Sequence, residues 1–224
     1  TRAHSFNTAA AQYAANRPSY PPALFDAVED LAGRSLVGAR VADVGAGTGI
    51  ATALLAARGA QVVGVEPGEG MAAEFRRANP GIPVVRGSGD DLPLATDSVD
   101  FLTYAQAWHW TDTARSVPEA LRVLRPGGAL ALWWNTPALD VPWISAQLDR
   151  IGEHFKAYGA HPRVEANGGG SRSALADPTG RLDFAHRVGR WSRRVPAQAH
   201  PAHLGTPSLF LTPDQPKLTT LPPR

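Results

Sequence analysis

The chain has 224 residues and a mass of 23.7 kDa, of which 43% are apolar and 19% charged, enough to bury one substantial core but hardly two full domains. With no cysteine there is no disulfide, thiolate metal site or cysteine nucleophile. No apolar run approaches the roughly 18 residues of a membrane span. The opening Thr1-Arg2-Ala3-His4 does not read as an export signal, so a cytoplasmic protein is expected.

The formal charge is +2 and the pI near 9.3, but the excess is unevenly placed. Residues 1–149 hold 11 basic and 15 acidic side chains, whereas residues 150–224 hold 11 and 5. A nucleic-acid interface calls for a dense basic stripe with interleaved aromatics. Arg187, Arg190, Arg193 and Arg194 are loosely spaced around Trp191, so nucleic acid is not the expected partner.

From the amino end, Pro21-Pro22 with Leu24, Phe25, Val28 and Leu31 predicts an amphipathic helix closed at Gly33. A strand over Arg40–Val44, a tight loop over Gly45–Gly49 and a helix over Ile50–Arg58 follow. Next come a strand at Gln61–Val65, a helix at Met71–Ala78, and strands at Ile82–Arg86 and Val99–Tyr104. A helix over Ser116–Leu124 then turns through Pro126-Gly127-Gly128 into a fifth strand, Ala129–Trp134. This alternation predicts crossover units and a mainly parallel, doubly wound α/β sheet of the Rossmann-like kind, with helices on both faces. Its strands are apolar on both sides, as such a sheet requires. Beyond Asn135 a helix is expected over Pro142–Tyr158, and Phe184–Val195 is read as a strand or hairpin. A Pro-rich tail runs from Pro196.

The segment Asp43-Val-Gly45-Ala-Gly47-Thr-Gly49 carries the first chemical signal. Three alternate glycines between a strand and a helix let a ligand lie against bare main chain near the helix's free N–H groups. A P-loop would need Gly-Lys-Ser/Thr, which is absent, and the dinucleotide fingerprint would need a small residue where Ile50 stands. Glu66, 21 residues after Gly45, is placed to accept both hydroxyls of a ribose. That suits a nicotinamide dinucleotide as well as S-adenosylmethionine; the glycine spacing with Asp43 favours the latter.

Further motifs follow in order: Gly64-Val-Glu66-Pro67 with Met71, Gly87-Ser88-Gly89-Asp90-Asp91-Leu92-Pro93, Asp97-Ser98-Val99-Asp100, and Arg122-Val-Leu-Arg-Pro126-Gly127-Gly128. Together they resemble the class I S-adenosylmethionine-dependent methyltransferases, most of all the small-molecule branch of trans-aconitate and ubiquinone/menaquinone methyltransferases. The resemblance implies that Gly45, Ala46 and Gly47 lie along the methionine part of the cofactor. It puts Glu66 on the ribose, Pro67 and Met71 by the adenine, and Ser88, Gly89 and Asp90 at its amino edge. Asp43 is expected to accept N–H bonds from the glycine loop. Phe6, Tyr13, Arg17-Pro18 and Tyr20-Pro21 resemble the family's N-terminal lid, with Tyr13 and Arg17 on the cofactor carboxylate.

Tyr104-Ala-Gln106-Ala-Trp108-His109-Trp110 falls at the rim where the reactive sulfonium belongs. Gln106 is assigned to the cofactor. Tyr20, Trp108, His109 and Trp143 are assigned to a substrate pocket, with His109 the candidate base for an acceptor that must lose a proton. The histidines show no metal-ligand spacing, so no metal is expected. The domain reading is a cofactor-binding core with lid over 1–135, a substrate cap over 136–183, and a return to the sheet with a shortened tail over 184–224.

The expected activity is methyl transfer to an O or C atom of a small metabolite, by a monomer or homodimer. Three rival readings stand beside it: a non-catalytic S-adenosylmethionine-binding protein, an NAD-dependent oxidoreductase, and RNA as the acceptor.

Overall fold

A computed structural model describes residues 19–157, 180–194 and 196. In chain order the elements are α1 (Pro22–Ala32), β1 (Arg40–Val44), α2 (Ile50–Ala57), β2 (Gln61–Val65) and α3 (Glu69–Ala78). β3 (Val84–Val85), β4 (Val99–Ala105), a 3-10 turn (Trp108–Trp110), α4 (Thr113–Val123), β5 (Leu124–Trp133) and α5 (Pro142–Ala157) follow. The five strands form one all-parallel sheet in the order β3-β2-β1-β4-β5. The chain winds outward from β1 to β3, then crosses back to lay β4 on the other side of β1. That reversal opens a crevice between the carboxyl ends of β1 and β4, where open α/β sheets hold their ligands.

Strand alternation divides the core between the two faces. Ala42, Val44, Leu102 and Tyr104 pack with Val117, Ala120 and Val123 of α4. Val41, Phe101 and Trp133 pack with Phe25 of α1 and Leu55 of α2. Phe25 is the residue α1 buries, and Pro22 starts that helix where a missing N–H costs nothing. Gly33, at φ +61°, ends it in the left-handed conformation.

The amino end of the sheet is fastened by Asp100, at the start of β4. Its carboxylate accepts the Arg40 N–H at 2.8 Å and hydrogen bonds from Arg34 (3.1 Å) and Arg125 (3.4 Å). The Arg40 N–H and the two guanidiniums hold its pKa below the usual carboxylate range.

Four expectations are revised. The third strand shrinks to Val84–Val85 on the sheet edge, because Pro83 before it has no N–H to give the ladder. α4 begins three residues earlier than expected, since Asp112 caps it by accepting the Ala114 N–H at 3.0 Å. β5 starts at Leu124 and runs through Pro126-Gly127-Gly128, with a register irregularity between its Val99 and Phe101 pairings. The described part of Phe184–Val195 forms neither strand nor hairpin. It is tied on by side chains instead: Arg187 to Asp30, Arg190 to Asp140, and Trp191 to Asn135. Among the described residues, no helix is long and apolar enough to cross a membrane.

Candidate active site at the carboxyl ends of the strands

The glycine loop leaves β1 and bends over the end of β2, where the N–H groups of Gly45 and Ala46 both reach the Val65 carbonyl, at 2.8 and 3.1 Å. Gly45 is fixed by packing: at φ +66°, a β-carbon there would lie 2.4 Å from the Ala107 Cβ. Gly47 has the same left-handed backbone, φ +58°, but a β-carbon there would meet nothing within 4 Å among the described residues. The loop therefore presents bare main chain to open space at Gly47, a cradle suited to a bound molecule.

Glu66 closes this loop from the neighbouring strand. One carboxylate oxygen accepts the Gly47 N–H at 2.8 Å and the other the Gly68 N–H at 2.7 Å. The residue is 5% exposed. Burial raises its pKa, against the lowering effect of those N–H bonds and of the Arg86 charge. Arg86, which sequence reasoning missed, also donates to the Pro67 carbonyl at 2.6 Å and so holds the loop after Glu66. Met71 lies buried in the first turns of α3.

Asp43 does not serve the glycine loop as expected. It is fully buried, and its carboxylate accepts the hydroxyls of Thr52 at 2.6 Å and Thr103 at 3.0 Å. It joins β1 to α2 and β4 beneath the loop, and the task of holding loop N–H groups falls to Glu66. Desolvation raises the Asp43 pKa to about 6, with the charge of Glu66 adding to it and the threonine hydrogen bonds opposing it.

Beyond β3, Ser88 and Asp91 form an isolated bridge around Gly89 and Asp90. A β-carbon on Gly89 would lie 2.9 Å from the Tyr104 hydroxyl and 2.8 Å from Thr111 Cγ2, so this loop is seated on β4. One Asp90 oxygen accepts the Asp112 N–H at 2.9 Å, which couples the loop to the start of α4.

At the end of β4, Gln106 sits at φ +60°. Its N–H reaches the Trp133 carbonyl at 2.9 Å, and its side-chain amide donates to the Tyr20 hydroxyl at 3.1 Å. These two assigned residues are thus brought together. Trp108 is not where it was expected: it is 1% exposed and packs edge-on against Tyr104, ring centroids 4.8 Å apart, so it belongs to the core. His109 and Trp110 are exposed on the 3-10 turn with their rings 4.7 Å apart. His109 Nδ1 accepts the Trp134 indole N–H at 3.2 Å. That bond engages the one ring lone pair a neutral imidazole has, the pair a base would use. Trp143 stands 61% exposed in the first turn of α5. Phe6, Tyr13 and Arg17 lie outside the described residues, as do residues 158–179 of the expected cap.

A cavity of about 660 Å³ opens at the opposite end of the sheet, between Arg40, Gln61, Pro83, Leu94 and Val99. The groups able to recognise a nucleoside lie at the carboxyl end: Gly47 main chain, the Glu66 carboxylate and the Ser88–Asp90 loop. Chemistry outweighs volume here. Among the described residues, no cluster of three or more His, Asp or Glu could hold a metal.

A parallel sheet reversed at β1, with a glycine loop at its crevice and a carboxylate at the end of the next strand, defines a doubly wound α/β protein. A methyltransferase-domain profile matches residues 42–132. An uncharacterized methyltransferase of Mycobacterium tuberculosis is 44% identical over 148 residues, 66% of this chain and 59% of its own length. A demethylmenaquinone methyltransferase of Corynebacterium kroppenstedtii is 39% identical over 46% of this chain and 45% of its own. A solved structure described as a type II methyltransferase, from Anaeromyxobacter dehalogenans, is 31% identical, covers 86% of this chain and 79% of its own, and superposes with a TM-score of 0.62. The chain belongs to the class I S-adenosylmethionine-dependent methyltransferase family. It spans about three fifths of the length of these mycobacterial relatives.

Proposed function

We propose that this chain binds S-adenosylmethionine and transfers its methyl group to an O or C atom of a small-molecule acceptor. The observation that carries the reading is the pairing of Gly47 with Glu66: bare main chain facing open space, beside a buried carboxylate held by two backbone N–H groups. These residues fit an adenosine-type cofactor. Gly45, Ala46 and Gly47 would lie along its methionine part, and the lone pairs of Glu66 not used by the loop would take the ribose hydroxyls. Pro67 and Met71 would flank the adenine, and Ser88, Gly89 and the second oxygen of Asp90 would meet its amino edge. Tyr13 and Arg17 would grip the cofactor carboxylate, with Gln106 at the methyl-bearing end. When bound, the cofactor supplies an electrophilic methyl whose bonding electrons stay with sulfur on transfer.

The chain's own part is alignment, because in-line displacement depends mainly on the approach of the two reacting atoms. Tyr20, linked to Gln106, and His109, linked to Trp134, would border the acceptor, and residues 136–183 would cover it. The small-molecule acceptor is supported by the relatedness to a demethylmenaquinone methyltransferase.

Calorimetric titration with S-adenosylhomocysteine, with NADH as control, tests the reading. Binding of the first alone, at about micromolar Kd, is expected. Binding of NADH alone, or of neither, would overturn it.

A further inference from the structure

At the carboxyl end of β5, Trp133 and, two residues on, Asn135 leave buried N–H groups without a hydrogen-bond acceptor among the described residues. Trp133 is 6% exposed, and its ring stands edge-on to Tyr20 and Phe25, at centroid distances of 6.0 and 6.1 Å. Its indole Nε1–H meets no hydrogen-bond partner among the described residues. Two residues further on, Asn135 accepts the Trp191 indole N–H on Oδ1 at 3.1 Å. That contact fixes the orientation of the amide, so Nδ2 is the remaining end, and it too is buried and unpaired. The great majority of buried polar groups in folded proteins are paired, so two unpaired donors on one strand end call for an acceptor from outside the chain.

Their position says which molecule supplies it. The Trp133 carbonyl takes the Gln106 N–H at 2.9 Å, and Gln106 reaches Tyr20, whose ring packs on Trp133. Through that pairing the end of β5 lies beside the end of β4, from which the chain runs on to Ala107 against the glycine loop.

We infer that the end of β5 binds an oxygen of the methyl acceptor, and that the acceptor is a carboxylate or carbonyl compound rather than an amine. This rests on the methyltransferase reading above. An indole N–H and an amide NH₂ offer protons and no lone pair on those atoms, so they complement an oxygen that only accepts. An ammonium group would set donor against donor and leave both buried N–H groups unmatched. A carboxylate gains most, since its charge strengthens each hydrogen bond.

The test uses the full chain saturated with S-adenosylhomocysteine and three probes of one skeleton: hydrocinnamate, benzylacetone and phenylpropylamine. Ligand-observed NMR titration should give an affinity for hydrocinnamate or benzylacetone at least about tenfold above that for the amine. Trp133→Phe, which keeps the ring bulk, and Asn135→Asp, which keeps an acceptor for Trp191, should each weaken hydrocinnamate binding by about tenfold or more. Affinity for S-adenosylhomocysteine should stay within about twofold, so a folding defect in one variant is recognised and the other still decides. Equal binding of the amine, no binding of either oxygen probe, or unchanged hydrocinnamate binding in a folded variant would overturn the inference. Failure of the wild type to bind S-adenosylhomocysteine would bring down the methyltransferase reading, and this inference with it.

Discussion

Gly45 and Ala107 meet across the crevice so closely that a β-carbon on residue 45 would lie 2.4 Å from that of Ala107. The contact joins the end of β1 to the end of β4 at the point where the sheet reverses direction, and it makes residue 45 a packing position. Gly47, two residues on, has nothing within 4 Å of its missing side chain. Gly45→Ala should therefore destabilise the fold by about 2–5 kcal/mol, adding a left-handed backbone penalty to a steric clash. Gly47→Ala should cost only about 1–2 kcal/mol of stability. It should still weaken S-adenosylhomocysteine binding by about tenfold. Urea unfolding together with calorimetry separates the two; equal stability losses would remove the distinction.

Glu66→Ala should weaken S-adenosylhomocysteine affinity by about 1–3 kcal/mol, since a buried ribose would lose its charged acceptor. The same change frees the N–H groups of Gly47 and Gly68, so a lowered unfolding midpoint should accompany it. Calorimetry well below that midpoint reads the affinity alone. An unchanged Kd would take the ribose away from Glu66.

Asp43 sets a pH dependence whose sign follows from its burial. Its folded pKa, about 6, lies above the ordinary 3.8, so the folded state favours the protonated acid. Stability from this group is greatest below pH 3.8 and is lost as pH rises through about 6, by roughly 3 kcal/mol in all. Asp43→Asn cannot ionise. The stability of this variant relative to wild type should therefore rise by up to that amount between pH 4 and 7 in urea melts. A difference that stays flat over that range would show that Asp43 titrates normally.

His109→Ala should lower kcat by less than about tenfold, against the 10²–10⁴-fold typical of losing a general base. The Trp134 indole already holds the lone pair a base would need. The pH–rate profile should keep its shape; loss of a limb near neutral pH would restore the base.

Most of the fold was legible because its central strands are short apolar runs bounded by turn residues, and β1 and β2 fall where the pattern puts them. The edge strand β3 was overread, since Pro83 within the expected run has no N–H to give the ladder. Asp112 was the sequence signal for the true start of α4, obscured by Pro118 inside the helix. In the site, Gly45, Gly47 and Glu66 could be placed because they sit at strand ends, where position along the chain fixes position in space. Asp43 and Trp108 could not. Each is a polar or aromatic residue near those ends, and only the packing of Thr52, Thr103 and Tyr104 determines which way it turns.

Asp100 gives the sheet two unlike ends. It pins the first residue of β1, the turn after α1 and the start of β5 through one carboxylate, far from the glycine loop. The strands then behave like the ribs of a fan riveted at its handle. Any rearrangement that admits a ligand is confined to the tips, and the chain can exchange one set of loop residues for another there without disturbing how the ribs are joined.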